Sequence, residues 1–90
     1  MAEELPEHRL KRLRMRSMRR GIKEMDLILL AYADRSLAGM DEDRLKLYDR
    51  MLNESDHDLY SWVNGQVPPP DTYAALIADI QADIVASRAG

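Results

Sequence analysis

Apolar residues recur along this chain at three- and four-residue intervals, and no stretch alternates with the period of two that a strand requires. Met15, Met18, Ile22, Met25 and Leu29 follow this rhythm through Gly21. Arg9, Arg12, Arg16, Arg19 and Lys23 keep a similar rhythm on another face. A first helix is predicted over about Glu7 to Met18, and a second from about Ile22 to Leu37. The second is apolar nearly all round from Leu27 to Ala33, which predicts the central, most buried helix. Gly39 closes that region. Asp41 is a candidate N-cap, with Glu42 and Asp43 in a first turn where negative charge is favoured. The third helix then runs to about Leu52, with Leu45, Tyr48 and Leu52 on one stripe.

Ser55 and Asp58 have capping-box spacing before a short fourth helix carrying Leu59, Tyr60, Trp62 and Val63. Asn64-Gly65 stops it, and Pro68 to Pro70 form a stiff connector. Asp71 is placed to cap a fifth helix with an apolar face of Tyr73, Leu76, Ile77, Ile80 and Ile84. The expected fold is a small all-α bundle of four or five helices in one domain over residues 1–90, with residues 1–6 and 86–90 frayed. Trp62 is expected in the core or at its edge, and His8 and His57 at the surface.

Composition narrows the possibilities. A chain of 90 residues, 46% hydrophobic, supports one packed core. Burying only about 60–65% of its unfolded surface, it has little room for a deep chamber. With no cysteine, disulfides, thiolate metal sites and thiol catalysis are excluded for this chain. No apolar run approaches the roughly 18 residues that span a bilayer. The expected location is the bacterial cytoplasm, or the mitochondrial matrix for a eukaryotic source. No spacing matches a metal site, a phosphate loop, a nucleophile elbow or a dinucleotide fingerprint, so the chain is not expected to be an enzyme.

Charge is lopsided. Residues 1–24 hold eight Lys/Arg against four Glu, while residues 25–90 hold five against twelve Asp/Glu, for a total of −3. The basic face of the first helix has a bland reading as a solvated surface. A nucleic-acid or anionic-surface reading competes with it, but a pI of about 5.3 is low for such a module.

The basic segment meets the apolar one at Arg20-Gly21-Ile22-Lys23-Glu24. Two readings of this pentad stand side by side. In one, Gly21 breaks or caps the first helix at positive φ, and Glu24 complements the dipole of the second. In the other, Arg20 and Glu24 are displayed beside a bare backbone that a partner approaches closely.

The stretches RRGIKEMDLILLAY (Arg19–Tyr32) and LKLYDRMLNESDHDLYSWV (Leu45–Val63), followed by a proline-containing link before the last helix, are specific in combination. The chain resembles the small flavinylation (FAD assembly) factors of succinate dehydrogenase, the Arg-Gly-x-x-Glu family. The resemblance covers about residues 8–85. It implies a helical assembly factor that binds the flavoprotein subunit of succinate dehydrogenase, and in bacteria often that of fumarate reductase. Such a factor promotes covalent attachment of FAD held by its client and has no tightly bound cofactor or metal of its own. A monomer that neither binds nucleic acid nor inserts in membranes is expected.

Arg20, Gly21 and Glu24 match the family signature, and Arg19 and Asp26 match commonly seen positions. Arg16, on the same basic face, completes the candidate partner-binding set. Many relatives carry an aromatic residue shortly before the motif, where this chain has Met15, Ser17 and Met18.

Overall fold

The computed structural model describes residues 5–18 and 20–89, and among them are five α-helices and no strand. Helix α1 spans Pro6–Arg16, α2 Lys23–Ser36, α3 Glu42–Met51, α4 Asp56–Val63 and α5 Asp71–Ala89; a 3-10 turn at Leu37–Gly39 extends α2. The all-α expectation holds. Three of the starts have a local cause. Pro6 occupies the first turn of α1, where a missing N–H costs nothing. The Asp41 carboxylate accepts from the Arg44 N–H at 2.8 Å, and Ser55 Oγ accepts from the Asp58 N–H at 3.2 Å. Gly65, at φ 83°, supplies the left-handed residue just past α4.

Some boundaries differ from the sequence reading. Helix α1 stops at Arg16 because Ser17 turns the chain, and α5 runs to Ala89. Residues 1–4 and 90 lie outside the described residues. Asp71 is the first helical residue of α5 rather than its cap, so its carboxylate sits in the first turn.

The core gathers one stripe from every helix. Met25, Leu29, Tyr32 and Ala33 of α2 face Tyr48 and Met51 of α3, Leu59, Trp62 and Val63 of α4, and Tyr73, Leu76, Ile77 and Ile80 of α5; α1 contributes Leu13. Tyr32 packs on Tyr48, and Trp62 on Tyr73, each pair with ring centroids 5.9 Å apart. Trp62 is thus a core residue as expected, and His8 and His57 are exposed.

Helix α2 is less enclosed than its sequence suggests: Leu27 is 61% exposed. Four partner helices in so short a chain cannot surround a fifth. Polar contacts finish the packing. Gln81 of α5 donates to the Trp62 and Val63 carbonyls at 3.1 Å, satisfying the open end of α4. Tyr32 donates to Asp79 at 2.7 Å, and Arg35 pairs with Asp83, joining α2 to α5.

Candidate functional site

The segment between α1 and α2 forms a corner tied to α3 and α4. The Ser17 N–H bonds the Leu13 carbonyl, and the fully buried Ser17 hydroxyl donates to the same carbonyl at 2.8 Å. Its proton being used there, Ser17 Oγ accepts from the Tyr48 hydroxyl at 2.6 Å. Burial pushes the Tyr48 hydroxyl pKa up to about 12, with the Arg20 charge pulling the other way. The next fixed point is Arg20, whose backbone N–H donates to Asp26 Oδ1 at 2.6 Å. Ile22 then takes an extended conformation as the N-cap of α2.

The Arg20 side chain turns inward and is only 12% exposed. Its Nε donates to Asp56 Oδ1, its Nη1 to the Arg16 carbonyl at 3.1 Å, and its Nη2 to the Leu52 and Glu54 carbonyls at 3.0 Å. One guanidinium therefore holds the end of α1, the end of α3 and the start of α4. The other Asp56 oxygen accepts from the Gly21 N–H. Burial pushes the Asp56 carboxyl up, but the Arg20 guanidinium and the Gly21 and Ile22 N–H groups outweigh it and hold the pKa below its ordinary value.

Gly21 is exposed and is not in the left-handed region, so the positive-φ reading is wrong. The glycine keeps a tight fit: a Cβ would lie 3.0 Å from Asp56 Oδ2, so the carboxylate would have to give by a few tenths of an ångström to admit a side chain.

The candidate residues therefore divide. Glu24 is exposed in the first turn of α2, where it accepts from the Tyr60 hydroxyl at 3.3 Å. It rims a shallow groove of about 500 Å³ with Lys23, Leu27, Ile28 and Ile84. Arg20 and Asp26 are engaged inside the corner, so the expectation that Arg20 is displayed beside Glu24 is met by Glu24 and Gly21 alone. The reason is that a large cation next to three helix ends is better placed on their unpaired carbonyls than in water. Arg16 leans on α3, donating to Asp49 and, at 2.6 Å, to Asn53 Oδ1. Arg19 lies outside the described residues.

Three further arginines of α1 are also paired. Arg9 meets Glu42, Arg12 meets Asp49 at 3.0 Å, and Arg14 meets Asp34 at 2.6 Å.

Asp56, Tyr60 and the Ser17–Tyr48 pair were not singled out for the site. For Asp56 the signal available was the Ser55-Asp56-His57-Asp58 run, read only as a helix start. Among the described residues no cluster could hold a metal ion, and no helix is long and apolar enough to cross a membrane.

The profile of the Sdh5 family, described as flavinator of succinate dehydrogenase, matches residues 11–84. The mitochondrial succinate dehydrogenase assembly factor 2 of Danio rerio is 35% identical over 80 residues, covering 87% of this chain and 51% of that protein. The proteins of the same name from Aspergillus flavus and Saccharomyces cerevisiae strain S288c are 43% and 42% identical over 63 and 66 residues. Each of these matches covers 70% of this chain, but only 22% and 41% of the respective relatives. The chain spans about half or less of the length of these curated relatives. Its match to the family runs from the second turn of α1 to the later turns of α5, through the whole corner, and the chain belongs to the Sdh5 family, the flavinators of succinate dehydrogenase.

Proposed function

We propose that this chain is an assembly factor that binds the flavoprotein subunit of succinate dehydrogenase and promotes covalent attachment of FAD to it. The observation that carries this reading is the family match over residues 11–84. The names of the relatives, succinate dehydrogenase assembly factors, agree with it.

In this proposal Gly21 and Glu24 are the contact, and Arg20, Asp26 and Arg16 hold them in place. Binding favours the client conformer that keeps FAD in attack geometry, and positioning alone lowers a barrier. The bond-making groups then belong to the client, and the helper contributes neither acid nor base. It works as a monomer wherever apo-flavoprotein is present, in the bacterial cytoplasm or the mitochondrial matrix, and the related fumarate reductase subunit is a second client. A standard contact needs roughly 800 Å² per partner, against a chain surface of 5937 Å².

Against the competing nucleic-acid reading, Arg9, Arg12, Arg14 and Arg16 are engaged with carboxylates of α2 or α3. The test is to delete the gene and read in-gel fluorescence of covalent flavin in the flavoprotein subunit. Loss on deletion and recovery with the intact gene are expected. Normal covalent flavin in the deletion strain would overturn the proposal.

A further inference from the structure

Resting on that reading of the corner as the client contact, we propose that Asp56 is a positioning residue for it and that Arg20 acts through Asp56, without touching the partner. The two Asp56 oxygens divide between Arg20 Nε and the Gly21 N–H. A single carboxylate thus sets both the guanidinium and the peptide that begins the exposed part of the motif. Asp56 is the first residue of α4 and only 15% exposed, in a helix whose positive end favours its charge.

Arg20 has little left to offer a visitor. Its other bonds run to the carbonyls of Arg16, Leu52 and Glu54, and reaching outward would break them. Loss of either partner produces one lesion: the Gly21 peptide is released from α4, and Glu24, one turn of α2 away, loses its fixed start.

The experiment is a double-mutant cycle on the full chain with Arg20→Gln, Asp56→Asn and the pair together. Affinity for the apo-flavoprotein subunit is measured by calorimetry at a temperature where each melt shows a folded protein. Each single variant should weaken binding on the order of tenfold, and the double should be no weaker than the weaker single. Losses that multiply, on the order of a hundredfold, would give Arg20 a contact of its own and overturn the proposal. So would single variants that bind normally.

A mutation-free readout covers the case of a variant that does not fold. The Arg20 Nε–H resonance of the labelled, unaltered chain should stay in place when client is added, while the Gly21 and Glu24 amides move. Movement of the Arg20 signal would overturn the proposal. Failure of the unaltered chain to bind flavoprotein at all would instead overturn the functional reading, leaving the latch as a feature of the fold alone.

Discussion

At the scale of single residues, the Arg20-Gly21-Ile22-Lys23-Glu24 pentad splits into an inner half and an outer half. Arg20 faces carbonyls and a carboxylate, whereas Glu24 faces solvent with one bond from Tyr60. Gly21 stands between them, and its missing side chain matters because Asp56 Oδ2 occupies the adjoining space. A bulky residue at Gly21 should cost about 1–3 kcal/mol of stability, the range for overpacking, since Asp56 cannot retreat without loosening Arg20. The thermal melt reads this, and an unchanged melt would show that the carboxylate yields freely. Asp56→Asn should cost about 1–3 kcal/mol, less than a fully buried pair because water still reaches the edge of the corner. The division of the pentad was not legible in the sequence. The order Arg20-Gly21-x-x-Glu24 shows which residues are near one another, but not that Asp56, 36 positions from Arg20, completes the inner half.

At the scale of elements, each helix buries apolar residues and α3 and α4 carry side-chain caps, and most of that could be read in advance. Asp41 and Ser55 cap as their types predict, and the α5 stripe packs inward. Two features could not be read. The apolar run from Leu27 to Ala33 does not reveal how many neighbours α2 will have, so the exposure of Leu27 follows only from the assembled bundle. The end of α1 depends on the Ser17 hydroxyl meeting Tyr48, a contact across 31 positions. Trp62, against Tyr73 and under the Gln81 side chain that closes α4, should lower stability by about 3–5 kcal/mol when replaced by alanine. A denaturant titration measures this, and an unshifted midpoint would contradict its place in the core.

At the scale of the whole molecule, ion pairs within the fold take up much of the basic charge of α1. Arginines of α1 lie on acids of α2 and α3, and Arg35 of α2 lies on Asp83 of α5. Three carboxylates carry the pH dependence. The Arg12 hydrogen bond leads in holding Asp49 below its ordinary 3.8, and the Arg35 bond does so for Asp83. At Asp56 the Arg20 and backbone bonds prevail over burial. The folded state holds these protons less tightly than the unfolded chain. Their contribution is therefore fully present above 3.8 and is lost as pH falls through the lower folded values.

Tyr48 acts at the other end. Its hydroxyl is raised from 10.0 to about 12, mainly by burial, so its contribution is present below pH 10 and lost as pH rises toward 12. Melting temperatures should be level between these limits and fall outside both. A decline across the neutral range would contradict the assignment.

The central claim is that the chain works by grasping a flavoprotein through an exposed Glu24 on a corner fixed from within. Its most direct measurement is the affinity of the purified chain for the apo-flavoprotein subunit of succinate dehydrogenase, with and without Glu24→Ala. The account predicts a helical, folded variant that has lost about 2–5 kcal/mol of binding, the cost of leaving a partner charge unpaired at a contact. Equal affinity of the two proteins for the subunit would contradict it.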